Sequence, residues 1–230
     1  MKKSKAPLPF PRFDSKNFKA LCDALCKEDK ALQFILDTYG YPPLWSRPNT
    51  FESLLHIILE QQVSLASALS ALNKLKEKIR KITPENLLKL TDAELKACYF
   101  SRQKTIYAKE LATAIVNGTL SLRKLASLND TIIREQLTAI KGIGNWTVDI
   151  YLIFILQHAD VFPFGDLAAV NALKAVKKLP AHTTKEELAI IAEKWKSNKT
   201  IAVMLLWHFY LEERKPVEKR SIGLKKSKHV

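Results

Sequence analysis

Glycine is scarce in this chain, with six in 230 residues, and no alternation of apolar and polar residues runs beyond a few positions, so an extended sheet has little support. The three cysteines, Cys22, Cys26 and Cys98, are an odd number without zinc-finger spacing or a four-cysteine iron–sulfur pattern, and they read as reduced, buried thiols. Nor does any cluster of histidine, cysteine and carboxylate have ligand spacing, so neither a catalytic metal nor a required cofactor is expected. No apolar run is long enough to cross a bilayer. The basic start MKKSKAPLPFPRF leads into prolines instead of an apolar signal core, which points to an intracellular protein, cytoplasmic or nucleoid-bound. Internal repeats are absent.

What the chain does contain is 47% hydrophobic residues, enough to bury a core. Leu, Ala, Lys, Glu and Ile dominate, so helix formers outweigh strand formers and the expected class is all-α. Lys and Arg number 37 against 23 Asp and Glu, a net charge of +14. Such an excess favours a polyanionic partner, nucleic acid or an anionic membrane, and composition does not choose between them.

Helical periodicity begins near Lys16 and reaches Tyr39, in one or two pieces, before the break GYPPLWSRPN. Thr50 is placed to cap a helix carrying Phe51, Leu54, Leu55, Ile58 and Leu59 on one face, and a second helix spans about 64–82. Thr83-Pro84 reads as an N-cap with proline at the first helical position, and Thr91 with Glu94 fits a capping box. Further helices are predicted over about 102–117, 121–127, 130–139, 145–157, 166–178, 184–194 and 198–213. The expected architecture is about ten short helices in two lobes with a cleft between them, one lobe near 50–160 and the other near 15–45 plus 165–213. Basic arms, 1–14 and 214–230, flank the two lobes.

Two of the six glycines stand together in LTAIKGIGNWTVD, residues 137–149. Two helices joined by such a turn present backbone N–H groups at the start of the second helix, where the helix dipole also favours an anion. The glycines let that backbone approach a phosphate, and Lys141 adds positive charge. A helix connection with no ligand is the plain alternative. The turn lies within LxxIxGIGxWT, and Asp166 in DVFPFGD follows about twenty residues on. Together these features resemble the helix-hairpin-helix DNA glycosylase superfamily, in particular the 3-methyladenine DNA glycosylase II family. ILEQQVSLASA (58–68), YFSRQKTIYAKELA (99–112) and AEKWKSNKTIAVMLLW (192–207) resemble further segments of the family, so the likeness spans most of the chain. Residues 1–45 are too short for the β-rich N-terminal domain of some members.

The resemblance implies a monomer acting on double-stranded DNA with a damaged base. It makes Asp166 the catalytic carboxylate, stabilising the positive charge that develops on the deoxyribose as the bond to the base lengthens. Without the family, Asp166 in FGDLAAVNAL is simply a good N-cap. Relatives that also cut the strand place a lysine two residues after the second glycine; Trp146 stands there, which implies base removal alone. Trp146, Trp207 and Tyr151 are implied walls of the base pocket, with core packing as the alternative for the tryptophans. Tyr151 departs from the pattern, because a family tyrosine lies four residues after the hairpin tryptophan, where this chain has Ile150. The turn Gln61-Gln62-Val63-Ser64 matches the family's DNA wedge, with Gln62 as the candidate and an ordinary polar turn as the alternative. Lys141, Gly142, Ile143, Gly144, Asn145 and Thr147, together with Gln61, Ser64, Ser101, Arg102 and Lys104, are the implied DNA contacts. A sodium or potassium ion on the main-chain carbonyls of Thr138, Ile140 and Ile143 is a further implication. The expected function is a base excision repair glycosylase for alkylated bases. Two other readings remain open: a glycosylase for deaminated or oxidised bases, and a non-catalytic module that binds damaged DNA.

Overall fold

The structure, a computed structural model, describes residues 11–215. The parts of the basic arms at 1–10 and 216–230 lie outside the described residues. Thirteen α-helices and no strand occur among the described residues, which bears out the all-α expectation. Three of the helices have only four to six residues, at the starts expected from Thr83-Pro84, Thr91–Glu94 and 121–127.

By its own internal packing the chain divides into two units, one of them Ser46–Leu156 and the other formed by the described residues of 11–45 and 157–215. The first holds α3 (Phe51–Glu60), α4 (Leu65–Ile79), α5 (Pro84–Leu88), α6 (Asp92–Ala97), α7 (Arg102–Val116), α8 (Leu122–Leu125), α9 (Asp130–Thr138) and α10 (Asn145–Phe154). Its core forms around α3, whose Leu54, Leu55, Ile57 and Ile58 are wholly buried, and α10, where Val148, Tyr151, Leu152 and Ile153 are equally hidden. The helix starts follow the expected chemistry. Thr50 accepts from Ser53 N–H, Thr83 precedes Pro84 at the first helical position, and Thr91 and Glu94 complete a capping box.

The second unit holds α1 (Phe18–Glu28), α2 (Lys30–Tyr39), α11 (Leu167–Val176), α12 (Lys185–Glu193) and α13 (Lys199–Glu213). The long helical pattern before Tyr39 breaks at Asp29, which ends α1 and caps α2 by accepting from Ala31 and Leu32 N–H. Helix α13 is its central post. Ile201 to Leu206 are all completely buried, and α1, α2 and α11 pack around it. Each of its larger apolar side chains contributes about 2 kcal/mol through burial. The arm expected at 1–14 is partly built into this unit. Arg12 pairs antiparallel with His158, Phe13 N–H donates to the Gln157 carbonyl at 3.1 Å, and the Phe13 ring is buried.

Cys22, Cys26 and Cys98 are buried free thiols. Burial pushes the Cys22 thiol up to about 12, which suits a packing role and not a nucleophile. No helix among the described residues is long and apolar enough to cross a membrane.

Candidate active site and nucleic-acid interface

The hairpin turn in the first unit is tightly determined. Gly142 has φ +94°, and a Cβ built there would fall 2.0 Å from the Tyr107 ring. Glycine is therefore required twice, by backbone conformation and by the aromatic ring laid against it. Gly144 differs, because a Cβ there meets nothing within 4 Å. The protein itself does not demand glycine at that position, and the bare backbone leaves room for a ligand. Gly144 is the N-cap of α10 and brings no capping side chain of its own, so it leaves the start of the helix open at that position. Lys141, Gly144 and Asn145 are exposed, Trp146 is half-buried, and Ile143 is buried. Ile143 thus anchors the turn, its side chain buried and its N–H donating to the Ile140 carbonyl at 3.0 Å. Arg134 of α9 forms an ion pair with the buried Asp149 of α10, bracing the two helices of the hairpin; no motif marks this pair in advance.

Four residues of this unit are placed differently from the expectation. Gln61 points into the protein: its Nε2 donates to the Gly142 carbonyl and to Thr147 Oγ1, both at 2.9 Å. Thr147, 1% exposed, is accordingly a partner of Gln61 and offers no hydroxyl to DNA. Lys104 donates from Nζ to the Leu59 carbonyl at the end of α3, and burial holds its ammonium below the usual lysine range. Tyr151 is fully buried and bonds Asn49 Oδ1 at 3.0 Å, so it belongs to the core and not to an open pocket wall. Each side chain finds a polar partner distant in sequence.

The wedge turn is exposed where it was expected to be. Gln62 is exposed at φ +58°, and Val63 beside it is 45% exposed. Its mounting is rigid. Arg47 holds Glu60 through two bonds of 3.0 and 2.5 Å, and the Arg47 backbone N–H donates to the Phe154 carbonyl at 2.8 Å. Ser64 and Ser101 cap α4 and α7 through Ser67 and Lys104 N–H, and Arg102 stands exposed at the start of α7.

The candidate catalytic carboxylate in the second unit is fixed from two sides. Asp166 caps α11, with Oδ1 accepting from Ala169 N–H at 2.8 Å and from the Trp207 indole N–H at 2.9 Å. The loop that carries it is pinned by Thr200 at the start of α13, itself wholly buried. The Thr200 hydroxyl donates to the His158 carbonyl at 2.7 Å and accepts from Val161 N–H at 3.0 Å. Phe162 then stacks on Trp195 at 6.2 Å. Trp207 meets Trp45 edge to face at 6.5 Å, giving an aromatic corner beside the carboxylate. Thr200, Trp195 and Trp45 escaped the sequence reading. A tryptophan in a proline-rich break was the only signal available for Trp45.

All-helical among the described residues, with a glycine turn between α9 and α10 ahead of a helix-capping aspartate, the fold is that of a helix-hairpin-helix protein. Residues 55–197 match the HhH-GPD superfamily base excision DNA repair protein family, and the chain belongs to that family. It is 32% identical to DNA-3-methyladenine glycosylase 1 of Schizosaccharomyces pombe over 77% of this chain and 80% of that enzyme. A DNA-3-methyladenine glycosylase of Bacillus subtilis is 28% identical over 70% of this chain, which spans 57% of that longer protein. Among solved structures, the S. pombe 3-methyladenine DNA glycosylase in complex with abasic DNA superimposes with a TM-score of 0.75 at 28% identity. That match covers 82% of this chain and 95% of the other.

Proposed function

We propose that this protein is a monofunctional DNA glycosylase that hydrolyses the N-glycosidic bond of alkylated bases in duplex DNA and leaves an abasic site. One observation carries this reading most strongly: the Asp166 carboxylate is oriented by the α11 N-terminus and the Trp207 indole N–H. A carboxylate so fixed needs little reorganisation as positive charge grows on the deoxyribose, and it can orient or deprotonate the attacking water. The first unit grips the phosphate backbone through the Gly142-Ile143-Gly144 turn, Lys141 and Asn145, contacts that read no sequence.

The damaged base has to leave the stack, and Gln62 is the side chain that fills its place. Trp207, with Trp45 at its edge, supplies an electron-rich face for a cationic methylated purine, worth about 0.5–2 kcal/mol. Because Trp146 occupies the position where strand-cutting relatives carry a lysine, no amine is placed there to attack the sugar. A sodium or potassium ion on the carbonyls of Thr138, Ile140 and Ile143 suits the C-terminal end of α9, where helix carbonyls lack intrahelical partners. The Ile140 carbonyl there accepts Ile143 N–H at 3.0 Å and keeps a second lone pair.

The test is incubation of the protein with duplex DNA carrying methylated purines, with free base and abasic sites measured separately from strand breaks. Base release with intact strands is expected. No release, or a covalent enzyme–sugar adduct trapped by borohydride, would contradict the reading.

A further inference from the structure

We infer that Gln61 is a positioning residue that couples the wedge turn to the phosphate-gripping hairpin, so that insertion into DNA is braced against the backbone the protein already holds. This rests on the glycosylase reading above. Gln61 follows α3 directly and precedes the exposed Gln62. Its amide spans 81 and 86 positions of sequence to reach Gly142 and Thr147, at 2.9 Å each. Those two acceptors lie on either side of the uncapped start of α10. The preceding residues of α3 are held as well, Leu59 by Lys104 and Glu60 by Arg47.

Expelling a paired base requires a side chain to push on the stack, and an equal reaction falls on the turn that bears it. With the Gln61 amide in place, that load passes to the hairpin and through it to the phosphate. Without it, the turn can recoil while the hairpin stays bound. Gln61 touches neither base nor sugar in this account and acts through Gln62.

Gln61→Met keeps length and volume and removes both donated bonds; Thr147→Val keeps shape and removes only one. For both variants and the wild type, single-turnover base release is measured from a methylated purine in a fully paired duplex and from the same base in an unpaired bulge. Affinity for abasic duplex, where no base remains to be expelled, is measured alongside. Gln61→Met is expected to slow release from the paired duplex on the order of tenfold, the weight of one to two neutral hydrogen bonds. The bulged lesion should restore its rate, and abasic affinity should stay within about twofold because the phosphate contacts persist. Thr147→Val should show the same pattern more weakly, and it serves as the test if Gln61→Met does not fold. Equal loss in both lesion contexts, or no loss in either, overturns the inference. If the wild type releases no base at all, the glycosylase reading fails by itself. The coupling is then judged by 2-aminopurine at the interrogated position, which brightens on unstacking: equal brightening with wild type and Gln61→Met overturns it.

Discussion

In Ser46–Leu156 the groups proposed to meet a ligand are mostly main chain, at the start of α10 and the bare backbone of Gly144. In the second unit the central group is a single side chain, the Asp166 carboxylate, with two donors on one oxygen. The supports differ accordingly. Polar struts brace the hairpin, with Gln61 reaching Gly142 and Thr147 and Arg134 reaching Asp149. The carboxylate is instead set by a buried threonine and an aromatic cluster. A phosphate backbone is the same along any DNA, so generic amides suffice to hold it. Stabilising charge at one sugar carbon needs one group in one orientation, and hydrogen bonds set in a packed surround supply that rigidity to Asp166.

The sharpest contrast within the first unit lies between its two hairpin glycines. Gly142→Ala is expected to lower stability by about 3 kcal/mol, from the positive φ and the collision with Tyr107. Gly144→Ala should leave stability within about 0.5 kcal/mol, since its Cβ enters open space, while weakening duplex affinity. Thermal melting and a binding titration on the pair separate a glycine needed by the fold from one left bare for a ligand.

In the second unit Asp29 is a structural lever outside the site. It accepts from Lys177 Nζ at 2.6 Å and from the Trp195 indole at 2.8 Å as well as capping α2. Burial works against its charge, yet the bonds from Lys177 and Trp195 hold its carboxyl below the usual range. Asp29→Ala should cost about 2–3 kcal/mol. Because the folded value is the lower one, the charged form's stabilisation is fully present above the unfolded value of about 3.9 and is lost as pH falls through the folded value. Acid titration of stability should therefore be flatter in Asp29→Ala than in the wild type.

A smaller effect is expected at the carboxylate's partner. Trp207→Phe keeps an aromatic ring and removes the N–H donated to Asp166, and single-turnover base release should fall roughly tenfold. Smallest of all, Lys141→Ala should reduce the slope of log affinity against log salt by about 0.9, the share of one neutralised phosphate. A slope unchanged in titrations over a decade of salt would remove Lys141 from the backbone contacts.

Most of the fold was readable because its signals are local. Thr50, Thr83 and the Thr91–Glu94 box start their helices as their side chains dictate, and the 3.6-residue spacing marks the face of α3. The Gly-Ile-Gly turn was readable for the same reason. What escaped depends on distant partners. A polar residue at a helix end looks alike whether it faces DNA or another part of its own chain, so Gln61, Thr147 and Lys104 were read as contacts with DNA. Tyr107 and Thr200 carried no signal, because their importance comes from the glycine ring contact and the loop carbonyl that packing brings to them. Tyr151 was misplaced for a related reason. An aromatic residue on a helix next to a glycine turn has no sequence mark of which way it faces, and here it faces Asn49.

The division of labour between a gripping unit and a catalytic carboxylate is tested most directly by Asp166→Asn, assayed for duplex binding and for base release on one methylated-purine substrate. Base release is expected to fall on the order of 10³-fold with affinity for the duplex little changed, as follows if the proposed phosphate contacts lie in Ser46–Leu156. Release at the wild-type rate, or loss of binding in step with loss of release, would contradict it.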